Sequence, residues 1–245
     1  MLVLLPPSET KAPGGSGPAL DLDDLSHPEL TPTRRELAEA VRGLSGEAGL
    51  AALGLSTRQA GELERNAALF DAPTAPALER YTGVLFDALD VGSLPAPERS
   101  RADARLAVGS ALFGLVRGTD RIPAYRLSAG SALPGFGGLR TVWRPVLEPV
   151  LREAAEFVVD LRSGAYAELA RVPGAVSVRV LSEAADGSRK VVSHHNKSHK
   201  GRLARILATA PAEPSDATDV LRLTRAAGLQ VEQESERGLC AVVPN

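Results

Sequence analysis

The densest run of chemically useful side chains is His194-His195-Asn196-Lys197-Ser198-His199-Lys200-Gly201-Arg202. No acid occurs from Gly187 through Ala210, so nothing within the run neutralises its cations. The pattern changes there from strand alternation to helical spacing. Free N–H groups at a helix start would therefore face the same point as Lys197, Lys200 and Arg202, which is how a chain holds a phosphate, sulfate or carboxylate. Only four of the 28 basic residues are lysines: Lys11, Lys190, Lys197 and Lys200. In an arginine-rich chain, a lysine marks a position that suits a compact ammonium, able to shift its pKa or hold phosphate as a point charge. His195 and His199 lie four apart and raise the question of a metal, but interleaved cations and the lack of a carboxylate argue against one. No metal or other cofactor is expected.

Further polar groups fall at strand ends and helix starts, where open α/β sheets place their ligands. Ser8, Glu9 and Lys11 follow the first strand, and Tyr81-Thr82-Gly83 interrupts apolar spacing. Ser110 precedes Tyr125 and Arg126, and Asp160 precedes Ser163 and Tyr166. With an anion held by Lys197, Lys200, Gly201, Arg202 and Arg126, the candidates for acid, base or nucleophile are Ser8, Lys11, Tyr125, Asp160 and Ser163. A serine hydrolase elbow, a dinucleotide fingerprint and a P-loop are all absent from the sequence.

The elements that must position these groups are mixed. Leu2–Leu5 reads as a buried strand closed by Pro6-Pro7. Thr31-Pro32 opens a helix to about Leu44. A second helix ends at Gly54, and Ser56 to Gln59 forms a capping box for a third, reaching about Phe70. Helical spacing continues over 77–89, 99–116 and 140–157, with Pro145 and Pro149 arguing for a kink or late start in the last. Phe157 to Leu161 reads as a buried strand. Ala175 to Leu181 and Arg189 to His195 alternate around the turn signal Asp186-Gly187. Helices follow over 197–207 and 216–227, then a final antiparallel pair near Leu229 to Glu234 and Leu239 to Val243. The fold class is α/β (mixed α+β): one sheet-centred domain over residues 1–245, with a helical insertion at about 31–70.

Bulk properties narrow the function. A net charge of −2 gives no global attraction for nucleic acid or acidic membranes. A single cysteine, Cys240, excludes an internal disulfide and a paired thiol switch. No apolar stretch approaches a membrane span, and the N-terminus lacks a signal-peptide core, so a soluble cytoplasmic protein with no membrane partner is expected.

The order of these blocks resembles one known family. Tyr81-Thr82-Gly83, the stretch from Ser110 through Phe113-Gly114-Leu115 and Asp120 to Tyr125-Arg126, Trp143, Asp160 to Tyr166 and the Lys197–Arg202 helix start together look like the YaaA family of peroxide stress proteins. The resemblance runs from near the first residue to the last. The family's Ser-Pro-Ala-Lys start reads Pro-Pro-Ser-Glu-Thr-Lys here, which displaces Lys11. The resemblance implies a fold of the type called cantaloupe-like, and a role in limiting iron-dependent oxidative damage. It also implies non-specific binding of double-stranded DNA through a helix-hairpin-helix at Gly54, Leu55 and Ser56, whose backbone N–H groups would grip phosphate. The segment from Arg34 to Arg65 carries five arginines against five glutamates, a neutral balance for a DNA element. The function expected from the sequence is a DNA-binding stress protein; the alternative is an enzyme for an anionic small molecule or nucleotide. Convergence of the polar blocks on one concave site would favour the second.

Overall fold

The computed structural model describes residues 1–184, 188–191 and 194–244. Its centre is β1 (Leu2–Leu5), a four-residue apolar strand with every side chain fully buried. An apolar run without alternation is the pattern of a strand covered on both faces. From β1 the chain passes through α1 (Thr31–Arg42), α2 (Gly46–Leu53), α3 (Gly61–Ala67), the two-residue β2 (Ala75–Pro76), α4 (Ala77–Arg80), α5 (Val84–Leu89) and α6 (Ala96–Arg105). It re-enters the sheet beside β1 as β3 (Leu106–Ser110) and turns back as β4 (Gly114–Arg117). β5 (Arg121–Ile122) pairs with β2 outside the main sheet.

Beyond α7 (Leu139–Glu153), β6 (Val158–Asp160) lies on the other side of β1. α8 (Gly164–Leu169), β7 (Val176–Glu183), β8 (Arg189–Val191), α9 (His194–Thr209), α10 (Ala217–Ala226), β9 (Val231–Ser235) and β10 (Gly238–Pro244) complete the chain. The main sheet has eight strands in the order β4-β3-β1-β6-β7-β10-β9, with β8 added antiparallel to the end of β7. β3, β1, β6, β7 and β10 run parallel. The onward connection of β1 leads to β3 on one side and that of β6 to β7 on the other. The order therefore reverses between β1 and β6, the crevice in which open parallel sheets bind ligands.

One buried cation holds the helical segment to the sheet. Arg34 of α1 is fully buried and donates to the carbonyls of Phe113 (3.0 Å), Leu115 (2.8 Å) and Ser26 (2.7 Å). Those carbonyls belong to the β3–β4 turn, to β4 and to the loop before α1. Burial pushes the Arg34 guanidinium down to about 10, against the pull of Asp120 and Glu29.

Several expectations need correction. The helical reading of 99–116 holds as far as Arg105, after which the chain is strand, turn and strand. Leu106-Ala-Val-Gly-Ser is short and apolar, and tertiary burial between β1 and β4 settles it as strand. The helix expected over 77–89 breaks at Tyr81, Thr82 and Gly83, where Lys11 forms a β-bridge with Tyr81. α9 begins at His194, so His194 and His195 are helical and not strand. The turn signal Asp186-Gly187 lies outside the described residues. No helix among the described residues is long and apolar enough to cross a membrane.

Candidate functional site

Segments distant in sequence meet at the C-terminal edge of the parallel strands. The turn after β1 brings Ser8, Glu9 and Thr10, and the break between α4 and α5 brings Thr82 and Gly83. The loop and helix after β6 add Ser163 and Tyr166, and α9 adds Asn196, Lys197 and Lys200. They enclose a cleft of about 690 Å³, with Val84, Leu85 and Phe86 as an apolar wall.

Local geometry explains why these residues are present. Gly83 caps α5 at φ 92°, a conformation that L side chains rarely adopt. A Cβ there would lie 3.4 Å from Thr10 Oγ1 and 3.5 Å from Ser8 Oγ, so hydroxyls close over the bare backbone. Ser8 Oγ and Thr82 Oγ1 each lie 3.1 Å from Thr10 Oγ1, giving a cluster of three hydroxyls on the cleft wall.

α9 reaches the site because Gly201 lets it touch α5: a Cβ on Gly201 would sit 2.2 Å from the Leu85 carbonyl oxygen. Lys197 and Lys200 are one helical turn apart and share the face that lines the cleft. Lys200 also donates to the carbonyls of Leu161 (2.9 Å) and Arg162 (3.4 Å), fastening the loop after β6. Burial lowers the Lys200 pKa, and Asp160 pulls it back. Asn196 Oδ1 is buried at the cleft without a hydrogen-bond partner.

Beside the cleft lies a buried chain of hydroxyls. Ser110 Oγ accepts from the amides of Leu112 (3.2 Å) and Phe113 (3.0 Å), and is 2.7 Å from Tyr125 Oη. Tyr125 Oη is in turn 2.8 Å from Tyr81 Oη. A hydroxyl has two acceptor lone pairs and one proton. With both Ser110 lone pairs taken, its proton goes to Tyr125, Tyr125 donates to Tyr81, and the Tyr81 proton is left to point onward. Burial raises Tyr81 to about 12 and Tyr125 well above its ordinary value, so both phenols are neutral near pH 7.

Lys11 covers this chain, its Nζ 4.0 Å from the Tyr125 ring centre and 5.4 Å from that of Tyr81. It donates to the carbonyl of Ser8 at 3.0 Å. Burial pushes the Lys11 ammonium down to about 7, although Glu9 pulls it up. Lys11 is thus an amine that holds its proton weakly near neutrality, packed on the faces of two neutral phenols.

The structure separates the expected site residues into groups. Ser8, Ser163, Lys197 and Lys200 line the cleft, with Lys11 and Tyr125 behind its wall. Arg126 touches the cleft through an ion pair with Glu9, 3.0 Å long. Asp160 is engaged elsewhere, gripped by Arg162 Nε (2.9 Å) and Nη2 (2.8 Å) in a buried fork. Gly201 is spent on the helix contact, and Arg202 is exposed and off the cleft lining. Gly54, Leu55 and Ser56 lie apart, at the end of α2. Their amides are already bonded: Gly54 to the Ala51 carbonyl (3.0 Å), Leu55 to that of Leu50 (2.9 Å) and Ser56 to Gln59 Oε1 (3.2 Å). Sequence reasoning gave no role to Thr10 or Phe86, and named Asn196 only within the His194–Arg202 run; the polar Ser-Glu-Thr trio behind two prolines was the available signal for the first.

Residues 1–235 match the family described as Peroxide stress protein YaaA. The chain belongs to that family. A UPF0246 protein of Corynebacterium efficiens is 50% identical over 237 residues, covering 95% of each chain. One from Streptomyces coelicolor is 46% identical over 245 residues, covering 96% of this chain and 93% of its own. A more distant relative from Shewanella amazonensis is 28% identical over 227 residues, covering 85% and 86%. Family membership thus supports a stress-related role. The cleft and the hydroxyl chain are built from the same blocks that carried the resemblance.

Proposed function

We propose that this protein serves its stress-related role as an enzyme for an anionic small molecule, bound in the cleft at the β1–β6 crevice. The observation that carries this reading is the convergence of four chain segments on one cavity beside a buried amine–phenol centre. Lys197 and Lys200 hold the anion, assisted by the hydroxyls of Ser8, Thr10 and Thr82. Lys11 exchanges a proton near neutral pH, and the Ser110–Tyr125–Tyr81 chain orients and stabilises that exchange.

Non-specific DNA binding, with limitation of iron-dependent damage, is the other reading that family resemblance suggests. Its hairpin has less physical support, because the three amides that would grip phosphate are committed to capping α2 and the turn after it.

The test is to incubate the purified protein with a pool of anionic metabolites, following binding and turnover by mass spectrometry. Wild type should retain and convert one class of compound. Lys200→Ala should lose retention, and Lys11→Met should retain without converting. Retention of no anion, alongside duplex DNA binding that needs Gly54, would overturn the enzyme reading.

A further inference from the structure

Glu9 is the one acid among the described residues that line the cleft, and it sits where an anion is expected to bind. Its carboxylate makes a single contact with Arg126, Oε2 to Nη1 at 3.0 Å, and its backbone carbonyl adds another at 3.4 Å. Arg126 Nε is buried with no partner. A guanidinium presents two forks, Nη1 with Nη2 at its end and Nε with Nη2 along its side, and a carboxylate or phosphate normally takes one of them with two oxygens. Glu9 therefore holds Arg126 by Nη1 alone, taking the end fork incompletely, and the side edge keeps its buried Nε unsatisfied, an arrangement that costs free energy until a better-matched acceptor arrives.

The backbone behind the fork is fixed. Asn66 is fully buried; its Oδ1 accepts from the Arg126 amide at 2.8 Å, and its Nδ2 donates to the Arg126 carbonyl at 2.9 Å. The partner that can move is Glu9, whose side chain is 45% exposed. Releasing a half-exposed carboxylate from an ion pair costs little, because water takes over its charge.

We infer that the cleft takes a ligand with two anionic groups, one held by Lys197 and Lys200 and the other displacing the Glu9 carboxylate from Arg126. Glu9 is then a resident stand-in for the second anion, and Arg126 selects against compounds with a single charged end. The first of these two anion positions rests on the proposed function; the second rests on the Glu9–Arg126 geometry.

The experiment is calorimetric titration with methylphosphonate as a one-ended probe and α,ω-alkylene bisphosphonates of increasing chain length as two-ended probes. One chain length should bind at least about ten-fold tighter than methylphosphonate, because the second contact becomes intramolecular. Glu9→Gln should tighten that bisphosphonate several-fold more than it tightens methylphosphonate. Arg126→Gln should abolish the two-ended advantage, with thermal melts confirming folded variants. If methylphosphonate binds through Lys200 but no bisphosphonate binds better, or Glu9→Gln changes nothing, the two-anion inference is overturned and the cleft reading survives. If neither probe binds, both fall.

Discussion

The contact between α5 and α9 sets the width of the cleft, and Gly201→Ala tests it. A Cβ at Gly201 would lie 2.2 Å from the Leu85 carbonyl oxygen and 2.8 Å from Ala88 Cβ. Neither atom is the end of a flexible side chain, so the helices must separate. Overpacking costs about 1–3 kcal/mol, a clash with fixed backbone takes the upper part of that range at about 2–3, and the better helix propensity of alanine returns about 1. The net loss is about 1–2 kcal/mol. For a domain of this size that lowers Tm by roughly 2–8 °C. The assay is thermal unfolding followed by far-UV circular dichroism, with anion titration on the same sample. Lys200 is the residue before Gly201, and Leu85 lines the cleft, so binding should weaken along with stability. Gly138→Ala is the control: it has a φ of −60° and nothing within 4 Å of an added Cβ, so it should shift stability by less than about 0.5 kcal/mol. A Gly201→Ala protein as stable as wild type would refute the close-packing argument.

Two further outcomes follow from the amine–phenol centre. The folded chain lowers the Lys11 pKa to about 7 from its ordinary 10.5. Between those values the unfolded chain keeps a proton that the folded chain has released, so stability rises with pH across that window. Below it both states are protonated, and the cost of burying the charge stands in full. Urea midpoints at pH 7 and pH 9 should therefore diverge less in Lys11→Met than in wild type; an identical rise in both would show Lys11 solvated. Tyr125→Phe removes the hydroxyl between Ser110 and Tyr81. It should cost about 1–3 kcal/mol in chemical denaturation, because buried hydroxyls lose their partner. A neutral result would mean that the chain of hydroxyls is not formed in solution.

Much of the scaffold was legible because local chemistry decided it. Leu2–Leu5 before two prolines could only be a short buried strand. Gly54 stops α2 at a φ of 67° as expected, and Asp216 caps α10 by accepting from the Asp219 amide at 2.8 Å. β3 was illegible because its five residues continue a helical spacing, and burial on both sides decides it. The break at Tyr81, Thr82 and Gly83 depends on pairing with Lys11, 70 residues earlier, which no local pattern reports. Which of the expected anion-binding residues share one face was not legible, for a geometric reason. Lys200 and Arg202 are two apart in sequence, and two helical steps turn through about 200°, so one lines the cleft and the other faces solvent. Lys197 and Lys200, three apart, share a face. Asp160 looked like a free carboxylate because its partner Arg162 reaches it only through the turn that follows β6.

The central claim is that this chain binds an anion in the crevice between β1 and β6. The most direct measurement is nitrogen-15 NMR of the whole protein titrated with methylphosphonate. Saturable shifts should concentrate at Ser8 to Thr10, Thr82 to Val84, Ser163 and Asn196 to Lys200, and should vanish in Lys200→Ala. Shifts confined to Gly54, Leu55 and Ser56, or scattered over exposed arginines such as Arg202 without saturation, would contradict it.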